Sequence, residues 1–275
     1  MVFSSNIFLI YFLPIFLIFY FITPKNWRNV VLLLFSLVFY AYGAPDFILL
    51  LVGSCVANFY LVKLMHNAKN QLSKKLYCAA AIVISLGLLI YYKYANFFVE
   101  NINLLLEAFG AHTITFAKVL LPIGISFFTF QSITYVIDTY RGNNQPMDRL
   151  HDYVLYIMMF PQLIAGPIVR YCDIEQEIRH RNYDWNEALH GFYRFIIGLS
   201  KKVLISDVIG IQVDKMLAGD IALMDSGTAW ITIIGYTMQL YFDFSGYSDM
   251  AIGLGKMFGF DFLEKLSLMN FLGRA

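Results

Sequence analysis

Residues 121–170 read LPIGISFFTFQSITYVIDTYRGNNQPMDRLHDYVLYIMMFPQLIAGPIVR. Two apolar runs, 121–137 and 153–169, are joined by a polar connection carrying Asp138, Arg141, Asp148, Arg149 and Asp152. Pro122 and Gly124 open the first run, and Pro161, Gly166 and Pro167 lie near the end of the second. In a bilayer no water meets a freed backbone group, so a broken helix survives only where protein or a water-filled cavity satisfies it. The same stretch holds Ser126, Thr129, Gln131, Ser132, Thr134 and Gln162, then Arg170 just after the Gly-Pro pair. Polar groups at membrane depth are costly and face inward, so the stretch reads as the lining of a site.

The rest of the chain supports a membrane setting. Its 275 residues are 59% hydrophobic and 14% charged, against about 45–50% and 25% in soluble domains. At about 20 residues per crossing plus connections, roughly seven to nine spans are expected, some of them short or tilted. The fold class expected is therefore an all-α, polytopic transmembrane bundle with broken and short helices around a central funnel. Net charge is +1 with no basic tract, so nucleic acid is not an expected partner and membrane lipid is. Cys55, Cys78 and Cys172 are far apart and form neither a disulfide framework nor a metal-binding spacing.

Along the chain, residues 7–22 lack the basic leading region of a signal peptide and read as a retained first span, kinked at Pro14. Residues 29–44 and 47–62 form an expected antiparallel hairpin around Ala44-Pro45-Asp46. The basic connections with Lys25 and Arg28, and with Lys63 through Lys75, are placed in the cytoplasm by the positive-inside rule. Residues 76–92 cross back and close at Lys93. Residues 94–110 are too dotted with Asn and Glu for a crossing and read as interfacial or bundle-bound. Residues 173–190 read as a charged, exposed connection, ending in a capping box with Asp184 as N-cap and Glu187 at the third position. A helix over 191–204 is interrupted by Lys201-Lys202, and 229–242 is a clear apolar span. Ser245 and Asp249 then share a helical face if 242–249 is helical, whereas Asp243 or Asp249 could equally cap a new helix. The many Phe and Tyr residues read as lipid-facing or belt residues.

Four stretches together resemble the membrane-bound O-acyltransferases, most of all the branch that acetylates alginate and related polysaccharides. They are the run from Leu121 to Gln131 with Tyr135, Asp138 and Tyr140-Arg141-Gly142; Phe160-Pro161-Gln162 through Arg170; Gly198-Leu199-Ser200-Lys201-Lys202-Val203; and Gln239 with Tyr241 through Asp249. The resemblance covers 1 to about 262 as one domain, and 263–275 reads as a divergent tail, as if the chain stopped short. The resemblance implies acetyl transfer from a cytoplasmic donor, acetyl-CoA, toward an extracytoplasmic polysaccharide such as alginate, in the bacterial cytoplasmic membrane. It also implies an SGNH-type esterase or transferase partner that completes delivery. The family's catalytic histidine lies beyond the resembling part, and His66, His112, His151, His180 and His190 do not match its position. No catalytic residue is therefore carried over, and no metal site is expected.

Transfer of an acyl group from a thioester to a hydroxyl needs a base for the acceptor and hydrogen-bond donors for the oxyanion. The candidate residues for the donor funnel are Arg170, Gln131, Gln162, Lys201, Lys202, Gln239, Asp243, Ser245 and Asp249. Arg170 could meet a donor phosphate through its planar fork or simply snorkel to the interface. Lys201 and Lys202 could do the same or mark a cytoplasmic boundary, Asp243 and Asp249 could polarise a hydroxyl or orient a base, and the glutamines could line a passage or tie helices together. Two rival classes stay open: an inactive membrane fragment or scaffold that binds a partner acetyltransferase, and a small-molecule transporter with broken helices.

Overall fold

A computed structural model of the chain describes residues 2–163, 166, 169–219 and 224–262. The protein is all-α: among the described residues every regular element is helical. In chain order the α-helices are α1 (Leu13–Ile22), α2 (Arg28–Gly43), α3 (Ile48–Asn67), α4 (Gln71–Ala108), α5 (Ile125–Arg141), α6 (Leu150–Met158), α7 (Phe160–Leu163), α8 (Tyr171–Arg179), α9 (Trp185–Ser200), α10 (Asp207–Leu217) and α11 (Ser226–Phe258). The expected divergent tail, 263–275, and the Ala165 and Pro167 part of the second break lie outside the described residues. The chain forms two compact units, one of Asn29–Ile164 with Arg170–Cys172, the other of Met1–Arg28, Ala165–Val169 and Asp173–Ala275.

In the first of these units α3 lies against α4, α5 and α6. Two segments, Pro45–Asn67 and Gln71–Ala108, are long and apolar enough to cross a bilayer. Their helices are tied inside the apolar packing by Asn58 Nδ2, which donates to Ser85 Oγ at 2.9 Å. The expected α2–α3 hairpin does not form: Pro45–Phe47 makes a 3-10 turn, and among the described residues α2 makes no extensive close approach to α3. The expected end at Lys93 is also absent, because α4 runs unbroken for 38 residues. At about 1.5 Å per residue that is roughly twice a hydrocarbon thickness of about 30 Å, so part of α4 must extend beyond the apolar layer. The asparagines explain the continuity. Asn96 exchanges two hydrogen bonds with the backbone of Val119 (2.8 and 3.0 Å), and Asn103 does the same with Ile114 (3.0 and 2.7 Å). They latch the irregular return segment 111–124 onto the helix that carries them.

In the other unit the irregularity around Pro14 is a change of pitch. A π-helical turn over Ile7–Phe12 leads without a break into α1, and Pro14, which has no N–H to donate, sits just after this change of pitch. Phe8, Phe12, Phe16 and Tyr20, each four residues from the next, are buried and stack in sequence with centroids 5.4, 6.5 and 5.5 Å apart. These rings are core, not the lipid-facing belt the sequence suggested. Lys201-Lys202 likewise does not interrupt its helix: Lys201–Ser206 is a π-helical stretch that passes the chain from α9 into α10.

The closest packing in this unit is between α9 and α11. A Cβ added at Gly191 would meet the Gly253 carbonyl oxygen at 2.6 Å, and one at Gly198 the Gly246 carbonyl oxygen at 2.6 Å. The reciprocal distances are 2.5 and 2.8 Å. Two glycines seven residues apart on each helix thus let the backbones touch, a form of close approach that membrane helices use in place of hydrophobic burial.

Candidate functional site

The second apolar run breaks at Met159, two residues before Pro161. Helix α6 ends at Met158, Met159 leaves helical geometry, and Pro161 falls inside the short α7, near its start, where an orphan N–H is expected anyway. Every residue from Tyr153 to Leu163 is buried. The freed groups find partners: Phe160 N donates to Ser36 Oγ of α2 at 3.1 Å, Gln162 N donates to Met159 O at 3.1 Å, and Gln162 Nε2 donates to the Tyr156 carbonyl. This is the arrangement that a break at membrane depth demands. The first run differs. Leu121–Gly124 stays outside the helix, Gly124 takes φ 76° just before α5, and Leu121 and Ile123 are exposed.

Gln131 lies on α5, one turn before Tyr135, with 1% of its surface exposed. Neither of its amide atoms has a hydrogen-bond partner, and Thr129 Oγ1 and Gln162 Oε1 are also buried without one. An unpaired buried polar group costs about 1–3 kcal/mol, so each of these groups keeps a capacity to bind something polar. One turn after Gln131, Tyr135 packs on Tyr153, Tyr171 and Tyr156 with centroids 4.8, 5.2 and 6.4 Å apart. The Tyr135 hydroxyl accepts from Met147 N at 2.9 Å. Arg170, in the same unit, is exposed immediately before α8.

The remaining candidates belong to the other unit, along the α9–α11 seam. Phe242–Asp249 is the interior of one continuous helix, so neither Asp243 nor Asp249 caps a new one. Ser245 and Asp249 do share a face, and both meet Lys201, whose Nζ lies 3.2 Å from Ser245 Oγ and 2.5 Å from Asp249 Oδ2. Arg194 Nε binds the other oxygen of Asp249 at 3.1 Å. Lys202 Nζ sits 2.6 Å from Asp243 and 2.8 Å from Asp207. Farther along, Lys256 Nζ reaches Glu187 at 3.1 Å, so the expected capping box is half made. Asp184 accepts from Asn186 N at 2.9 Å as N-cap, and Glu187 turns to Lys256. Gln239 packs against Gly210, and its Oε1 is buried without a partner.

The seam therefore alternates glycine contacts with ion pairs in antiparallel register: Glu187 with Lys256, Gly191 with Gly253, Arg194 with Asp249, Gly198 with Gly246, Lys202 with Asp243. Arg194 escaped the sequence reading. Its signal was the 4-3-4-3 recurrence of Glu187, Gly191, Arg194, Gly198 and Lys201, the spacing of a helix-pairing stripe. A second omission is a cluster of rings around Tyr20 holding Arg28 and Arg181. The histidines are exposed except His151, which lies 3.5 Å from neighbouring Asp152 at intermediate exposure.

Comparisons with known proteins point to one family. Residues 147–274 match the family model for membrane-bound O-acyltransferases. The chain is 42% identical over 268 residues to the probable alginate O-acetylase AlgI of Pseudomonas aeruginosa, covering 97% of this chain and 51% of that protein. It is 41% identical over 268 residues to the corresponding protein of Azotobacter vinelandii, covering 97% and 53%. Similarity to the peptidoglycan O-acetyltransferase of Helicobacter pylori is 35% over 299 residues, covering 94% and 54%. The chain spans about half the length of these curated relatives. With apolar helices of bilayer length, buried helix breaks and these matches, the protein is a membrane protein and belongs to the membrane-bound O-acyltransferase family.

Proposed function

We propose that this chain serves O-acetylation: it handles an acetyl donor, acetyl-CoA, on the cytoplasmic side of a bacterial cytoplasmic membrane that it crosses several times. The acetyl group is passed toward hydroxyls of an extracytoplasmic polysaccharide such as alginate, with an SGNH-type partner completing delivery. The observation that carries this reading is the alignment of 97% of the chain with an alginate O-acetylase. Relatives named for O-acetylation of two different polymers favour it over a transporter or an inert scaffold.

The geometry supports a division of labour. A thioester is neutral, and the neutral Gln131 amide offers it a donor and an acceptor without the solvation cost that a charge would carry at that depth. Gln162 keeps one amide oxygen available while its nitrogen holds the Tyr156 carbonyl. Arg170, exposed and planar, suits a phosphate of the donor. Lys201, Lys202, Asp243, Ser245 and Asp249 are engaged with one another or with Arg194 and Asp207, so their contribution is to hold α9 and α11 in register while Gln239 contributes a further buried amide oxygen. Among the described residues none is assigned the proton transfer.

The test is reconstitution of the full chain with the partner in vesicles, offered radiolabelled acetyl-CoA on one side and oligomannuronate on the other. Saturable retention of label by the protein, and acetyl groups on the oligosaccharide that hydroxylamine removes, are expected. Absence of both would refute the reading.

A further inference from the structure

One face of α2, made of Leu32, Ser36, Phe39 and Tyr40, is buried, and the break between α6 and α7 is held against it. Ser36 is fully buried, and its hydroxyl proton is committed: Oγ donates to Leu32 O, one turn back, at 2.8 Å. A hydroxyl that bonds back within its own helix keeps its lone pairs for a neighbour. Here Oγ accepts from Phe160 N at 3.1 Å. One turn further along α2, the Phe39 ring meets the Phe160 ring at 5.6 Å. The backbone and the side chain of Phe160 are therefore both held by one short stretch of α2.

The geometry after Phe160 follows from that hold. Met159 leaves the helix with ψ 115°, Gln162 N closes the turn onto Met159 O at 3.1 Å, and Gln162 Nε2 reaches back to the Tyr156 carbonyl. With the nitrogen engaged, the atom of this side chain left without a partner is the buried Oε1. It is an acceptor, and so it answers an N–H or O–H of a ligand. Its aim is set by the backbone two residues earlier, because a break displaced along the chain would carry the amide away from Tyr156.

We propose that Ser36 is a positioning residue for the acyl-donor site: by fixing the Phe160 N–H it sets the Gln162 amide oxygen as an acceptor for the bound donor. This rests on the reading of the chain as a handler of an acetyl donor. Ser36 acts through Gln162, so its loss weakens donor binding only while Gln162 is there to be misplaced.

The test measures the concentration of radiolabelled acetyl-CoA that half-saturates the full chain, reconstituted in vesicles with its partner. Gln162→Met should raise it about five-fold, the worth of one hydrogen bond, and Ser36→Ala should raise it by a similar factor. The double variant should bind no more weakly than Gln162→Met alone, as expected of two residues that act through one contact. Ser36→Thr, which keeps the hydroxyl, should restore most of the affinity. Ser85→Ala removes the acceptor of Asn58 Nδ2 and loosens the same unit elsewhere, so it should leave half-saturation unchanged. Should Ser36→Ala fail to fold, Ser36→Cys, with sulfur as a weaker acceptor, gives the same comparison at smaller amplitude. If the two single effects multiplied in the double variant, or if Ser85→Ala weakened binding as much as Ser36→Ala, Ser36 would be a structural residue and the proposal would fall. Unchanged binding in Gln162→Met would overturn it as well. A wild-type chain that retains no label would instead refute the acyl-donor reading itself, together with what rests on it.

Discussion

Replacing Gly198 by alanine tests the α9–α11 seam directly. The new Cβ would lie 2.6 Å from the Gly246 carbonyl oxygen, 2.7 Å from Met250 N and 2.9 Å from Asp249 Cβ. The two nearest are backbone atoms of a continuous helix, so no side chain can swing away. To reach an ordinary 3.4 Å the helices must separate, and Arg194 and Lys201 must follow or loosen their hold on Asp249. Overpacking of this kind costs about 1–3 kcal/mol, set against a helix-propensity gain of about 0.5–1 kcal/mol for Gly→Ala. The net expectation is a loss of about 1–2 kcal/mol. At roughly 2–4 °C per kcal/mol for a chain of this size, the midpoint should fall by about 2–8 °C. Gly87→Ala supplies the contrast, because a Cβ there meets nothing within 4 Å and should be neutral or stabilising by up to about 1 kcal/mol. Thermal unfolding of the purified chain in detergent, followed by helical circular dichroism, reads both. The Gly198→Ala/Gly246→Ala double variant should lose less than the sum of the singles, since one separation makes room for both methyls. If Gly198→Ala unfolded at or above the Gly87→Ala midpoint, the backbone contact would not be what holds the two helices together.

Other expectations concern single polar groups. Ser36→Ala removes the acceptor for the buried Phe160 N–H and should cost about 1–3 kcal/mol in the same unfolding assay. Gln131→Met should raise stability by about 1 kcal/mol, by relieving an unpaired buried amide, while lowering acetyl transfer in the reconstituted system. Asp249→Asn leaves Arg194 and Lys201 facing a neutral amide. Because those cations are 24% and 31% exposed, the cost should be about 1–3 kcal/mol, below the 3–5 of a wholly buried pair. For Glu177, burial lifts the folded pKa above the ordinary 4.5. Its contribution to stability is thus full below the unfolded pKa and is lost as pH rises through the folded one. Glu177→Gln should flatten that acid-side slope in chemical unfolding.

The helices were legible wherever hydrophobic period and length agreed, and the readings that failed did so for identifiable reasons. Asn and Glu between 94 and 110 suggested an end to α4, because asparagine is a poor helix former in isolation. No local rule shows that Asn96 and Asn103 would be used by a segment more than ten residues away. Lys201-Lys202 looked like a boundary because two charges are costly in an apolar helix. Their partners sit on α11, and a π-helical stretch carries both lysines through. The Ser-Gly-Tyr-Ser context of Asp249 suggested a cap, yet Gly246 is there for close approach and not for a turn. The second break was legible from Pro161, but its exact place at Met159 depended on Ser36, a residue of α2.

The polar groups at depth fall into two chemical kinds, and the difference bears on what each unit can do. In the unit built on α3 to α7 the fully buried ones are neutral: Ser36, Asn58, Ser85, Thr129, Gln131 and Gln162. Several have spare hydrogen-bonding capacity. Along the α9–α11 seam the charged groups are part-exposed and matched with opposite charges across it, and the neutral Gln239 is the exception, its amide oxygen buried without a partner. A matched pair resists separation because either partner left alone would be an uncompensated ion in a poorly solvating setting. It therefore serves better to fix helices than to greet a substrate. An unmatched neutral amide has the opposite character: it costs a few kcal/mol at most when empty, and it returns that amount when a carbonyl or hydroxyl arrives. On this reasoning substitutions at Gln131 should shift acetyl transfer more than stability, whereas substitutions at Asp249 should shift both together. That contrast separates a passage for acyl groups from the frame that supports it.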